Sequence, residues 1–220
     1  MNRPPTSDRL SYKSFYRRNL PHIQPVGADL FLTFRLAGSL PRKLLAQMAE
    51  DRRWRDEILS RHNLKKPSSA SARRHFAFLE KYLDSAAVGP IWLSDSRVAD
   101  LVAAALHYRD EKVYRLDAFS IMPNHVHCVF RPLIRDDVPY SLSSIMHSLK
   151  RNTAQQANQL LKRSGSFWAH ENFDHYIRDR VELKKIIKYV LQNPVKAGLA
   201  GDWHDWRWNY VRSGLLPDAS

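Results

Sequence analysis

Two histidines one residue apart, His125 and His127, are the part of this sequence most able to do chemistry. On a β-strand, side chains at i and i+2 leave the same face about 6.6–6.8 Å apart along the chain, so two such imidazoles can converge on one divalent cation. Val126 between them would then face a core. The plainer reading is a pair of surface histidines, or of buried ones satisfied by hydrogen bonds. A metal on two neutral imidazoles needs at least a third ligand from elsewhere in the chain. The segment 180–192 reads as a helix, and Tyr189 and Asn193 stand four residues apart, on one helical face. That face offers a phenol and an amide oxygen together. A phenol beside a divalent cation can attack phosphorus, because the cation polarises a phosphoryl oxygen and stabilises the charge that develops. The plainer readings here are a core tyrosine among Ile186, Ile187 and Val190, and a helix stop at Asn193-Pro194. Suitably spaced carboxylates are scarce, and Asp117 is the one obvious extra ligand.

These groups need elements to position them. Residues 28–36, ADLFLTFRL, alternate apolar and mixed positions and predict a strand. Residues 113–122 and 125–132 predict two more, joined by a tight Pro123-Asn124 turn and therefore paired antiparallel. Helical spacing predicts helices over 95–109, capped by Ser94 or Asp95, over 141–162, and over 180–192, capped by Asp179. Segment 166–178 reads as partly extended, with 170–178 as a further strand. Between 40 and 93 the pattern is helical and basic. Ser39 is expected to cap one helix carrying Leu44, Leu45, Met48 and Ile58, and a second follows the break at 65–71 with Phe76, Leu79 and Leu83. The expected fold is α+β, an antiparallel sheet with packed helices, a ferredoxin-like palm and a helical insertion at 40–93. It occupies residues 28–212, between a basic N-terminal arm, 1–27, and a tail, 213–220.

Composition narrows the partners. The chain has 220 residues, of which 35 are Lys or Arg and 22 Asp or Glu, a formal net charge of +13. A polyanion, nucleic acid first, is the expected ligand. The arm contributes Arg17 and Arg18, and the helices contribute Lys150, Arg151, Lys184, Lys185 and Lys188, as candidate phosphate contacts. A plain solvated helix face explains these lysines equally well. Phe167, Trp168 and Trp208 are candidate base-stacking rings, with core packing as the alternative. Cys128 is the single cysteine, which excludes a disulfide framework and any multi-cysteine metal site. No run approaches the ~18 apolar residues of a membrane span, and the first 27 residues lack a signal peptide's apolar block. The expectation is a cytoplasmic, nucleoid-associated protein with no membrane partner, either a monomer or a homodimer.

The stretches M-P-N-H-V-H-C-V-F at 122–130 and Y-V-L-Q-N-P-V-K-A-G-L at 189–199 resemble the REP-associated tyrosine transposases, which are single-tyrosine HUH nucleases. The segment F-W-A-H-E-N-F-D-H-Y-I-R-D at 167–179 is similar to a third stretch of that family, departing from it at Ala169 and His170. The resemblance implies that His125 and His127 are ligands of Mg²⁺ or Mn²⁺, that Tyr189 is the nucleophile, and that Asn193 helps hold the metal. It also implies recognition of short palindromic repeats that fold into hairpins. The chain would then be a metal-dependent endonuclease and strand transferase for single-stranded or hairpin DNA, working through a 5′-phosphotyrosine. His175 or a metal-bound water would assist the phenol, which at neutral pH is mostly protonated. Two other classes stand beside this reading. One is a catalytically silent, domesticated relative that only binds hairpins. The other is a phosphodiesterase that uses water as nucleophile.

Overall fold

Alternating apolar residues make strands here because the two faces of one sheet meet different neighbours. The computed structural model describes residues 12–13, 15–17, 21–41, 43–47, 50, 80, 82–84 and 89–216. Its strands are β1 (Phe15–Arg17), β2 (Pro21–Ile23), β3 (Asp29–Leu36), β4 (Tyr114–Ile121), β5 (His125–Pro132), β6 (Ile134–Arg135), β7 (Val138–Pro139), β8 (Trp168–Ile177) and β9 (Asn209–Val211). Its helices are α1 (Ser96–Arg109), α2 (Leu142–Leu160) and α3 (Arg180–Lys196). Five strands form one antiparallel sheet in the order β8-β3-β5-β4-β9, and β1-β2 and β6-β7 form two small hairpin ladders. The α+β class expected from the sequence is the class observed.

One sheet face carries the main core. Leu30, Leu32, Phe34 and Leu36 of β3 and Val126, Cys128 and Phe130 of β5 pack with Val98, Val102 and Leu106 of α1 and Ile145, Met146 and Leu149 of α2. Burying each such side chain contributes about 1.5–3 kcal/mol. The opposite face carries Phe31 of β3, Ala118 of β4 and Val129 of β5, which pack with Leu183, Ile187, Val190 and Leu191 of α3. Helix α3 is thus held on the sheet face to which alternation along β5 assigns His125 and His127.

The starts of α1 and α3 follow the expected caps, and Ser141 caps α2 in the same way. Asp95 accepts from the Arg97 N–H at 3.0 Å, Ser141 from Ser144 at 3.1 Å and Asp179 from Glu182 at 2.8 Å. The expected stop of the last helix at Asn193-Pro194 is corrected: α3 runs through both residues to Lys196. The proline removes one hydrogen bond, but the following turn restores the ladder through Ala197 N–H to the Asn193 carbonyl at 3.0 Å. Gly198, with φ +70°, is the actual terminator; its N–H reaches Val195 O and that of Leu199 reaches Pro194 O.

Further features go beyond the expectation. The N-terminal arm contains a two-stranded ladder, with Tyr16 opposite His22, rather than only extended chain. The segment after α3 contributes edge strand β9, which pairs Tyr210 with Phe119 of β4. The Ser39 hydroxyl donates to Leu36 O at 2.8 Å, and the N–H it is expected to cap lies outside the described residues. Of the insertion, residues 43–47, 50, 80 and 82–84 are helical, and Leu40, Leu44 and Leu83 form a small core of their own. Met48, Ile58, Phe76 and Leu79 lie outside the described residues.

Candidate metal centre

Strand β5 lies at the middle of the sheet, so its register fixes the histidine pair from both sides. His127 is opposite Thr33 on β3 and Ser120 on β4, and His125 is opposite Arg35. Both imidazoles are fully buried. The Nδ1 of His125 lies 2.6 Å from Asn124 Oδ1, and the Nδ2 of that amide donates to Leu83 O at 3.0 Å. Because Asn124 Oδ1 can only accept, His125 carries its proton on Nδ1 and turns its Nε2 lone pair toward His127. The Nδ1 of His127 is 2.7 Å from Thr33 Oγ1. The two Nε2 atoms face each other at 2.9 Å. Outer partners that orient imidazoles in this way are a regular feature of metal-binding histidines.

Two carboxyl groups lie beside the pair, and both come from the insertion. Glu80 Oε1 is 3.4 Å from His127 Nε2, and Asp84 Oδ1 is 3.7 Å from His125 Nε2. Asp84, His125 and His127 each offer a ligand atom within 4.8 Å of the others. Glu80 Oε1 and Asp84 Oδ1 are buried without a hydrogen bond. Burial, reinforced by the neighbouring Asp84, pushes the Glu80 carboxyl up to about 9. Burial pushes Asp84 to about 6, against the pull of Lys196. Burial lowers His125 to about 3, and burial together with the like charge of His125 lowers His127 well below its ordinary value. Neutral imidazoles beside unpartnered buried carboxyl oxygens are a donor set that fits a divalent cation.

Tyr189 of α3 is half-buried, and its ring meets that of His127 edge-on at a centroid distance of 5.9 Å. Phe31 packs against both rings, at 6.0 Å from Tyr189 and 5.8 Å from His127. Lys196, two turns along the same helix, holds its ammonium 4.5 Å from the Tyr189 ring centroid. Asn193 is buried one turn after the tyrosine. Its Nδ2 donates to Tyr189 O at 2.9 Å, and its Oδ1 has no hydrogen-bond partner.

The remaining sequence candidates disperse. Asp117 is buried and bound by Arg115 Nε at 2.9 Å, in a ladder that continues through Asp29 to Arg131, so it is not the extra ligand anticipated. His175 is 3.0 Å from Glu182 Oε1. Lys150 donates to Ala169 O at 3.0 Å and His170 O at 3.2 Å, tying α2 to edge strand β8. Arg151, Lys184, Lys185 and Lys188 are exposed. Arg17 lies on β1, its side chain outside what is described, and Arg18 is outside the described residues. Phe167 and Trp168 are core residues, and the half-buried Trp208 donates to Asp100 at 2.9 Å. Sequence reasoning missed Glu80, Asp84 and Lys196. The carboxylates stand four residues apart, which places both on one helical face, and that spacing was the available signal.

Comparisons with known proteins bear on the family and the fold. The sequence model of the family described as "Transposase IS200 like" matches residues 68–193. A Haemophilus influenzae protein described as "Putative REP-associated tyrosine transposase" is 28% identical over 122 residues, 51% of this chain and 67% of that protein. An Escherichia coli REP-associated tyrosine transposase is 25% identical over 118 residues, 52% of this chain and 67% of its own. The solved structure of a REP-associated tyrosine transposase bound to a REP hairpin superposes with a TM-score of 0.54 at 17% identity, covering 92% of this chain and 87% of that one. At that identity the likeness establishes the fold.

Proposed function

The chain belongs to the IS200-like transposase family, and on that footing we propose that it cuts and rejoins single-stranded DNA at or near hairpin-forming repeats, with Tyr189 as nucleophile. The observation that carries the reading is the contact of the Tyr189 ring with His127, whose Nε2 is 2.9 Å from that of His125. A nucleophile and a candidate cation site thereby lie on one side of one sheet.

His125 and His127, with Asp84 beside them, would hold Mg²⁺ or Mn²⁺, and Asn193 stands one turn from the nucleophile with an unfilled acceptor. When bound, the ion supplies Lewis-acid polarisation of a phosphoryl oxygen. The Tyr189 oxygen attacks the scissile phosphorus as its O–P bond forms and the P–O3′ bond breaks. The phenolic proton passes to solvent, the departing O3′ takes up a proton to become a 3′-hydroxyl, and the new 5′-phosphotyrosine stays on the protein. The phosphotyrosine retains the energy of the phosphodiester, so a later 3′-hydroxyl can reverse the step and join strands. The Lys196 ammonium over the ring favours a developing phenolate by simple electrostatics. The exposed lysines of α3 and Arg151 of α2 would track the phosphates of a strand entering from solvent.

The relative solved with a REP hairpin supports a hairpin as the substrate class. Among the described residues no helix is long and apolar enough to cross a membrane. The test is incubation with labelled hairpin and single-stranded oligonucleotides in Mg²⁺ or Mn²⁺, followed by denaturing gels. Wild type should give a covalent protein–DNA adduct, and Tyr189→Phe should give none. An adduct that persists in Tyr189→Phe overturns the assignment, as does cleavage that never passes through an adduct.

A further inference from the structure

We propose that Glu80 and Asp84 supply the anionic half of the metal centre, so that the inserted segment is a working part of the site and the ion is held by two imidazoles and two carboxylates. The inference rests on the reading above that the histidine pair holds a divalent cation, and it adds the donors the pair lacks.

The spacings bracket those expected of donors around one ion: Asp84, His125 and His127 offer ligand atoms mutually within 4.8 Å, and Glu80 borders that trio at His127. With metal–ligand bonds of about 2.1 Å, neighbouring donors stand roughly 3.0–3.4 Å apart. Here the spacings are 2.9 Å between the Nε2 atoms, 3.4 Å from His127 Nε2 to Glu80 Oε1, and 3.7 Å from His125 Nε2 to Asp84 Oδ1. Each carboxyl group offers its unpartnered oxygen. Glu80 is only 5% exposed, and a buried acceptor left without a donor is destabilising unless a cation or ligand satisfies it.

The two halves are also locked to each other. Asn124 accepts from His125 through Oδ1 and donates to Leu83 through Nδ2, so one buried amide sets both an imidazole and the turn that carries Asp84. Leu83 fixes that turn to Leu40 and Leu44. Charge points the same way. Two carboxylates neutralise a dication, whereas two imidazoles and an amide leave its charge uncompensated in a buried site. Imidazole nitrogen mixed with carboxylate oxygen favours a first-row transition ion, Mn²⁺ here, over Mg²⁺.

The experiment is calorimetric titration of MnCl₂ into chelator-stripped full-length protein without DNA, with bound Mn²⁺ checked by electron paramagnetic resonance. Wild type, Glu80→Gln, Asp84→Asn, the double variant and His127→Ala are compared. The isosteric amides remove negative charge without removing volume, and circular dichroism confirms that each variant is folded. Each single amide should weaken Mn²⁺ by roughly 10–100-fold, and the double variant should show no measurable binding. Wild type should prefer Mn²⁺ to Mg²⁺ by at least about tenfold in competition. Wild-type affinity in the double variant, with binding lost in His127→Ala, overturns the carboxylate assignment and leaves the histidine reading standing. Failure of wild type to bind either ion overturns the histidine reading itself.

Discussion

Glu80 and His125 are held uncharged by the same burial, and this gives the metal-free protein a pH dependence of stability with a definite sign. Glu80 keeps its proton in the folded state up to about 9, against an ordinary value of 4.5. Between pH 6.5 and 9 the unfolded chain has already lost that proton, so the folded state binds one more and stability falls as pH rises. The slope is at most about 1.4 kcal/mol per pH unit. Histidines add nothing there, because His125, lowered to about 3 from 6.5, is neutral in both states above 6.5. Below pH 6 the unfolded histidines take up protons that His125 and His127 refuse. Glu80 and Asp84, the latter pushed to about 6, oppose them, and the profile flattens. Thermal melts of chelator-treated protein should therefore show Tm falling from pH 6.5 to 9. Glu80→Gln should flatten that limb. So should saturating Mn²⁺, which allows the carboxyl to ionise in the folded state. A level wild-type profile would mean that Glu80 is not held neutral.

At the scale of elements, the insertion reaches the histidines through a narrow neck where two glycines touch. Gly38, after β3, and Gly89, before α1, have φ of +82° and +88°. A Cβ on Gly89 would stand 2.2 Å from the Gly38 carbonyl oxygen, a contact with backbone that no side-chain adjustment relieves. Gly89→Ala should destabilise by about 2–4 kcal/mol, from left-handed strain plus overpacking. That corresponds to a Tm lower by roughly 5–15 °C. If the neck seats the turn carrying Glu80 and Asp84, Mn²⁺ affinity should fall as well, which calorimetry on the folded variant at low temperature would detect. The same region marks where the sequence stopped being readable. The β4–β5 hairpin, the histidine face of β5 and the starts of all three labelled helices follow from alternation, a Pro-Asn turn and capping residues that act within a few positions. Glu80 and Asp84 lie more than 40 residues before the histidines and meet them only because Asn124 bonds Leu83. No local period encodes that contact. The run of α3 past Pro194 was hidden for a related reason: the lost hydrogen bond is outweighed by a closing turn at Gly198, several residues beyond the apparent stop.

Across the whole molecule, the charge of +13 and the asymmetry of the sheet combine into a prediction about DNA. One sheet face is buried under α1 and α2, while the other is covered by α3, whose inner side carries Leu183, Ile187, Val190 and Leu191. Lys184, Lys185 and Lys188 recur at i, i+1 and i+4 on its outer side and are exposed. If a strand approaches Tyr189 along this helix, as the proposed function requires, these lysines would neutralise its phosphates before chemistry begins. Counterion release then makes affinity fall with salt, by about 0.7 in log K per log[salt] for each phosphate neutralised on a single strand. Replacing all three by Gln should lower the magnitude of that slope by about 2 and weaken oligonucleotide binding at low salt. Exposed substitutions of this kind should leave Tm within about a degree or two and Mn²⁺ affinity unchanged. Fluorescence anisotropy between 50 and 300 mM NaCl, with metal chelated so that no cleavage intervenes, measures the slope directly. An unchanged slope would move the strand's path off α3 and onto other basic surfaces, with Arg17, Arg18 and Arg151 the next residues to substitute.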